Sequence, residues 1–350
     1  MKRVTLVFLA TAVTSVQFGC AQLSPDRSSA PEPPAPVSEA TRSGAPAPVA
    51  ASAPAPAPAP VAAPAPAPAP VAAPAPAPAP KPPVFETKKV DGTDNVYIFR
   101  AANAQAMFVV TSAGVIATDP ISYANRNASA AYVAEIRKIT NKPIKYLIYS
   151  HHHYDHIAGG KPFKDAGAKI IAHKRAKERL AKIKDPYTPL PDETFNKIKT
   201  IKLGGTTLEL HYLGLNHSDS TLVMRLPKEK IIFTVDWVPV GTLPARGMID
   251  TYPLELEASL KKLIAMDWQR LIPGHPGQPN GRLGTKEDAQ KALAFLQDAS
   301  AEVQKAAREG KCWDIAEKEV KLPKYESWPN YAAALPFVVR RYCGLWGRGT

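Results

Sequence analysis

The stretch His151-His152-His153-Tyr154-Asp155-His156 is the most informative part of this chain for its fold. It follows an apolar run that is typical of a buried strand. Side chains on a strand alternate between faces, so His151 and His153 are predicted to point the same way. Asp155 and His156 are predicted to lie in the turn that follows. Neutral imidazole and carboxylate groups suit zinc, iron or manganese, so this spacing predicts a metal site.

Three more residues of the ligand type occur downstream at predicted strand ends or in tight turns. His217 lies in a turn just before an apolar run, Asp236 ends the apolar run 231–235, and His275 follows Pro273-Gly274. A single histidine in a turn would be unremarkable. The recurrence of the same setting predicts that these side chains join the first four.

In this order the residues resemble the metallo-β-lactamase superfamily. That family carries His-x-His-x-Asp-His, then a His in a Gly-rich turn, an Asp after a strand and a Gly-His near the end of the domain. The resemblance extends over Val96–Gln278. It implies a four-layer αββα sandwich of the α/β class, with the metals at one edge where loops of both sheets meet.

The resemblance also implies two metal sites. His151, His153 and His217 would hold the first ion, Asp155, His156 and His275 the second, and Asp236 would bridge them. Two residues depart from the family pattern, because Val235 stands where Gly often precedes the bridging Asp, and Asp219 stands in a turn that often contains Gly. Asp at 236, where many zinc β-lactamases carry Cys or Ser, looks more like the thioesterase and lactonase branches.

The implied function is a zinc-dependent hydrolase that uses an activated water on a small ester, thioester, lactone or β-lactam, with two Zn²⁺ per chain and iron or manganese as substitutes. Asp155 would act both as a ligand and as a catalytic proton acceptor. Two other classes stay open. One is a mono-iron sulfur dioxygenase, and the other is a non-catalytic metal- or ligand-binding module of the cell envelope.

The N-terminus predicts export. A basic start and the apolar run 4–18, too short to span a bilayer, predict a signal peptide over residues 1–21. Two processing routes stay open: lipid modification of Cys20, although Gln17 stands where Leu is usual, or cleavage before Gln22. The first would anchor the protein in the envelope, and the second would release it into the periplasm.

Residues 22–83 are rich in Pro and Ala and lack the apolar side chains that build a core, so they predict a disordered linker. Its alternating array should favour polyproline II, with a reach of roughly 100 Å at about 3.1 Å per residue. A tether and a passive solvated tail are equally compatible with this composition.

Residues 84–280 are predicted to form the catalytic domain, and 281–350 a helical C-terminal extension that packs on the domain, caps the site or mediates dimerisation. Cys312 and Cys343 predict one disulfide in an exported chain. The net charge of +13 is concentrated between Lys169 and Lys202 and reads as a solvated face, or as a rim for anionic substrates. Nucleic acid is not an expected partner, and the oligomeric state is left open.

Overall fold

The computed structural model describes residues 84–244 and 248–350. The predicted signal peptide and the predicted linker both lie outside these residues. Within the described ranges, no helix has the length and apolar character that a membrane crossing requires.

The first sheet has seven strands in sequential order. The first four strands pair antiparallel, and the fourth to seventh pair parallel. Its strands are β1 (Phe85–Lys89), β2 (Val96–Ala101), β3 (Ala104–Thr111), β4 (Gly114–Thr118), β5 (Ile144–Ile148), β6 (Lys169–His173) and β7 (Glu193–Phe195).

The second sheet has five strands in the order β12-β11-β10-β9-β8. The pairs from β8 to β11 are antiparallel, and β12 joins β11 in parallel. Its strands are β8 (Ile198–Leu203), β9 (Thr206–His211), β10 (Val223–Leu226), β11 (Ile231–Val235) and β12 (Arg270–Pro273).

The described residues form eight α-helices and a short 3-10 turn at Pro323–Tyr325. The helices are α1 (Ala128–Ile139), α2 (Tyr154–Ile157), α3 (Lys161–Asp165), α4 (Lys174–Ile183), α5 (Pro253–Ala265), α6 (Lys286–Arg308), α7 (Ala316–Glu319) and α8 (Tyr331–Arg348).

Three apolar clusters separate four layers. One joins the first sheet to α1, α3 and α4, for example Phe108 to Tyr132. A second lies between the sheets, where Met107 and Phe233 are fully buried. The third joins the outer face of the second sheet to α5, α6 and α8. The predicted αββα sandwich is therefore confirmed. The third apolar cluster continues past residue 280, because α6 and α8 share it with β12.

Local sequence signals account for several elements. Gly204 and Gly205, both with positive φ, form the tight turn that joins β8 to β9, and a capping box at Thr285 and Asp288 starts α6. One local argument was wrong. Strand β5 ends at Ile148, so His151 and His153 lie in the loop after it, and strand alternation does not orient them.

The two cysteines of the C-terminal region are both free thiols and lie next to each other. Burial and the neighbouring Cys312 thiol raise the pKa of Cys343 to about 12. The predicted disulfide between them stays a prediction.

Candidate metal centre

The loops that carry the ligand-type residues lie at one edge of the sandwich. His151 follows the carboxyl end of β5, His217 lies between β9 and β10, Asp236 directly follows β11, and His275 lies just past β12. Carboxyl ends of neighbouring parallel strands meet at the same edge of a sheet, so β11 and β12 bring Asp236 and His275 together.

All seven predicted residues come together, in two groups that share Asp236. In each group the ligand-type atoms lie within 4.8 Å of one another. The first group is His151, His153, His217 and Asp236, and the second group is Asp155, His156, Asp236 and His275. The ligand roles themselves remain a prediction.

The two carboxylate oxygens of Asp236 divide between the groups. Oδ2 is 3.5 Å from Nε2 of His151 and 3.3 Å from Nε2 of His217. Oδ1 is 2.9 Å from Nε2 of His156 and 3.3 Å from Nε2 of His275. A carboxylate in this position could contact two ions at once, and the bridging role of Asp236 stays a prediction.

The other contacts complete each group. Nδ1 of His153 lies 2.9 Å from Nε2 of His217 in the first group. In the second group Oδ2 of Asp155 lies 3.6 Å from Nε2 of both His156 and His275. Asp155 and His275 are nearly half exposed, whereas His151 and His156 are fully buried. The second group therefore faces solvent more openly than the first.

The two groups also differ electrostatically. Burial, together with the neighbouring His153 ring, holds the pKa of His151 well below its usual range. His156 is equally buried, yet Asp236 and the other nearby carboxylates outweigh burial and raise its pKa to about 9. Burial would raise the pKa of Asp236, but His156 and His275 outweigh it and hold that pKa well below its usual range. The carboxylates of the second group thus favour the protonated form of His156, and a cation bound there would compete with that proton.

Several of these atoms are buried without a hydrogen-bond partner. Among the described residues they include Nε2 of His151, both ring nitrogens of His156 and Oδ1 of Asp236. An unpaired buried polar atom costs about 1–3 kcal/mol, and most such atoms in proteins are paired. Within the first group His153 and His217 are in hydrogen-bonding contact, but the atoms named above have no hydrogen-bond partner. Convergence of imidazole nitrogens and carboxylate oxygens in this way fits a metal centre of the zinc, iron or manganese type.

The backbone at this edge is strained. Val235 has φ 57° at a β-bulge directly before Asp236, and a β-branched residue rarely adopts that conformation. Asp119 and Ile121 also have positive φ. At Gly274 an added Cβ would lie 2.7 Å from His156 and 2.9 Å from Asp236, so glycine lets the backbone pack directly against these two side chains. Strain of this kind concentrates at functional sites.

Two carboxylates that support the groups were not singled out from the sequence. Asp250 Oδ2 lies 2.8 Å from Nε2 of His153, on the ring edge opposite His217. Asp119 is fully buried, accepts a hydrogen bond from Ser150 N at 2.8 Å, and lies 4.0 Å from Nδ1 of His156. Burial raises the pKa of Asp119 to about 6. Asp119 directly follows β4, which is a usable signal, whereas Asp250 lies in a loop that has none.

The other three histidines of the chain lie outside both groups. His152 contacts Ser220 Oγ at 2.8 Å, His173 contacts the Asn196 carbonyl oxygen at 2.9 Å, and His211 contacts Glu209. These contacts account for them as structural residues.

A pocket of about 490 Å³ that opens to solvent lies over the two groups. Asp155, His275 and Asp250 line it, together with Leu243 and Asn330. A small molecule can therefore reach both groups from the same side.

The comparisons with known proteins agree with this geometry. Residues 103–275 match the family model of the metallo-beta-lactamase superfamily. The chain is 30% identical over 147 residues to metallo-beta-lactamase type 2 of Elizabethkingia meningoseptica, covering 40% of this chain and 57% of that protein. It is 26% identical over 165 residues to the 2,4-dinitroanisole O-demethylase subunit alpha of Nocardioides sp., covering 46% and 49%. The chain thus spans about half the length of these curated relatives.

A solved structure shows the same fold. The metallo-beta-lactamase from Pontibacter korlensis superposes with a TM-score of 0.53 at 20% identity, covering 61% of this chain and 99% of that one. The superfamily binds metal ions and includes metal-dependent hydrolases, and this chain brings a metal-capable His/Asp cluster to the expected edge. Residues 103–275 of this chain are a metallo-β-lactamase superfamily domain.

Proposed function

We propose that this protein is an exported, zinc-dependent hydrolase that holds two ions and cleaves a small ester, thioester, lactone or β-lactam. The observation that carries the proposal is the position of Asp236, whose two oxygens face two separate groups of ligand-type side chains. His151, His153 and His217 would hold one ion, and Asp155, His156 and His275 the other. Divalent cations bound there would supply Lewis acidity and a water acidic enough to lose its proton near neutral pH.

The chain's own residues would do the rest. Asp155 lies at the open side of the second group, where its carboxylate can accept a proton from the nucleophile. Burial would raise the pKa of Asp155, but the neighbouring His275 and His156 rings outweigh it and lower that pKa. The carboxylate is therefore ionised at neutral pH. Asp250 and Ser150 would orient the rings of His153 and His151.

Two of the relatives, a β-lactamase and a hydroxyacylglutathione hydrolase, support the proposed substrate class. The relatives' names span a β-lactamase, an O-demethylase and the hydroxyacylglutathione hydrolase of Brucella ovis, which is 28% identical over 197 residues. Aspartate at 236, where many zinc β-lactamases carry Cys or Ser, favours ester, thioester and lactone substrates over β-lactams.

Metal analysis of the full chain, paired with a matched substrate panel, tests the proposal. We expect close to two zinc equivalents and turnover of at least one ester, thioester, lactone or β-lactam. One iron per chain with oxygen uptake on a persulfide would instead support the dioxygenase alternative. Two bound ions without turnover on any substrate would support a non-catalytic binding module.

Export and the role of the linker have their own test. We propose that residues 1–21 direct export and that the Pro/Ala-rich stretch spaces the domain from the envelope. Mass spectrometry of the mature N-terminus will distinguish a lipidated Cys20 from cleavage before Gln22. Deletion of residues 45–80 should leave both the kcat on soluble substrates and the Tm of the protein unchanged, because a polyproline spacer would make no core contacts. A large loss of either would contradict the spacer role.

A further inference from the structure

A second pocket lies between α2, α3 and the loop before β7. Its volume is about 460 Å³, within the range of roughly 300–1,000 Å³ that is usual for small-molecule sites. It shares no lining residue with the pocket over the metal groups. We call it the tyrosine pocket, because three tyrosines belong to its wall. The side chains that matter below are Tyr123, Arg126, Tyr154, Lys161, Asp185 and Tyr187.

Side-chain hydrogen bonds hold the two loops that carry most of these residues. In one loop, Ser122 Oγ donates to the carbonyl oxygen of Arg126 at 2.9 Å. In the other, Asp185 accepts from Tyr187 N at 3.1 Å and from Thr188 Oγ1 at 2.6 Å. The Arg126 guanidinium lies 4.7 Å from the centroid of the Tyr187 ring and so joins the two loops. This part of the wall is therefore held in place without a ligand.

The charges of the wall are balanced except at Arg126. Lys161 pairs with Asp165 at 2.7 Å, and Asp185 already accepts the two bonds described above. Within the described part of the chain, Arg126 forms no ion pair, and its side-chain contact is with the Tyr187 ring. Stacking orients the guanidinium plane and leaves its N–H donors free for a planar acceptor. A ligand that displaces water from Arg126 must replace those hydrogen bonds, which a carboxylate does best.

The tyrosine rings favour an aromatic ligand. The side chains of Tyr123 and Tyr187 are 66% and 56% exposed, and Tyr154 is partly buried. Aromatic rings gain more from contact with another ring than from the area that they bury alone. Exposed ring faces and an unpaired guanidinium in the same pocket thus match a ring that carries a negative charge.

We propose that the tyrosine pocket binds a small aromatic carboxylate, whose ring lies against the tyrosine side chains and whose carboxylate pairs with Arg126. This site goes beyond the proposed hydrolase and does not depend on it, because none of the seven ligand-type residues lines the pocket. Tyr154 lies between His153 and Asp155 in the chain, so a ligand in this pocket would contact a direct neighbour of both metal groups.

Calorimetric titration of benzoate into the full chain tests the site. Benzamide keeps the ring without the charge, and cyclohexanecarboxylate keeps the charge without the aromatic faces. We expect benzoate to bind about fivefold more tightly than benzamide and about threefold more tightly than cyclohexanecarboxylate. Arg126→Gln should abolish the first preference, and Tyr187→Ala should reduce the second. Equal affinities for the three compounds, or a preference for benzoate over benzamide that survives in Arg126→Gln, would overturn the proposal.

Arg137→Gln is the matched control. Arg137 is an exposed arginine of α1 that donates to the Lys142 carbonyl oxygen and does not line the pocket. It should keep the wild-type preferences, and an equal loss in both glutamine variants would assign the effect to overall charge and overturn the site.

A carboxylate can also bind a metal ion, so the titrations would be made before and after chelation of any bound metal. Benzoate binding that needs Arg126 should persist after chelation, whereas its disappearance would place the acid at the metal groups and contradict the proposal. None of these measurements uses turnover. A failure of the hydrolase proposal would therefore leave the result for the tyrosine pocket unaffected.

Discussion

The metal-ligand edge concentrates strained backbone and unpaired buried polar atoms, whereas the C-terminal helical layer is mainly apolar packing. By metal-ligand edge we mean the loops that carry the two groups, and by C-terminal helical layer we mean α5, α6 and α8. At the edge, Val235 and Asp119 have positive φ, and His151 and His156 bury ring nitrogens that have no hydrogen-bond partner. In the layer, α6 begins with a complete capping box at Thr285 and Asp288.

The difference shows which region contributes stability and which contributes chemistry. Positive φ and unpaired buried polar atoms each cost free energy, of the order of 1–3 kcal/mol. They persist only where surrounding structure enforces them, and here the apolar cluster under α5, α6 and α8 is the largest of three. Changes at the edge should therefore affect metal content and rate, and changes in the layer should affect stability.

The largest effect is expected from His217→Ala. His217 is buried, and its Nε2 lies 3.3 Å from Asp236 and 2.9 Å from His153, at the centre of the first group. Its loss should remove one metal equivalent and nearly all hydrolysis while Tm changes little. Metal analysis and steady-state kinetics will check this, with His211→Ala as the control because His211 pairs with Glu209 and lies outside both groups. Wild-type metal content and rate in His217→Ala would disprove the ligand assignment.

Asp155→Asn tests the open side of the second group. Asparagine keeps the size and one oxygen but loses the charge and the ability to take a proton. We expect normal folding, about one metal per chain, and a loss of about 10²–10⁴-fold in kcat. Asp165→Asn is the control, because Asp165 is an exposed carboxylate paired with Lys161 on α3. Full activity with two metals in Asp155→Asn would falsify the role given to this residue.

Asp250→Asn should have a smaller effect on the first group. The carboxylate lies 2.8 Å from Nε2 of His153 and can fix the ring so that Nδ1 faces His217. Loss of such an outer partner typically costs about 10–100-fold in metal affinity. Competition with a chromophoric chelator will measure it, with the exposed Asp314→Asn as control. An affinity equal to that of the wild type would show that Asp250 does not orient the ring.

The sequence predicted the residues of the metal-ligand edge in more detail than the helices of the C-terminal layer. The helical character of the C-terminal region could be predicted from the sequence, and the seven ligand-type residues that cluster could be picked out by side-chain chemistry and their positions at strand ends. Strand β5 ends before the histidines, so the alternation argument that paired His151 with His153 was wrong, although both side chains lie in the first group. Chemistry and chain order were stronger signals than local geometry.

What could not be predicted depends on contacts that are distant in sequence. Asp250 reaches His153 across about a hundred residues of chain, and Pro329 contacts Leu243 across a similar distance. A single sequence carries no local signal for either contact. The extent of α8 was also not delimited, because Pro336 inside it is a residue that usually breaks helices.

The smallest expected effect, at Asp288, tests the stability side of the comparison. Its carboxylate accepts from Thr285 N at 2.9 Å and from Arg282 Nη2 at 2.7 Å at the start of α6. Burial would raise the pKa of Asp288, but the Arg282 and Thr285 bonds outweigh it and lower that pKa. The stabilisation is thus fully present well above the ordinary value of 3.8 and is lost as pH falls from there through the folded-state pKa. Asp288→Asn should lower the free energy of unfolding by about 1–2 kcal/mol at pH 7. In urea denaturation, the difference in free energy of unfolding between the wild type and Asp288→Asn should be smaller at pH 3.5 than at pH 7. The metal content at pH 7 should be unchanged.

The control is the neighbouring Glu287→Gln, which removes an exposed pair with Lys291 and should lower the free energy of unfolding by less than about 0.5 kcal/mol. If the loss in Asp288→Asn did not depend on pH, or if Glu287→Gln lost as much, the ionised cap would not stabilise the layer.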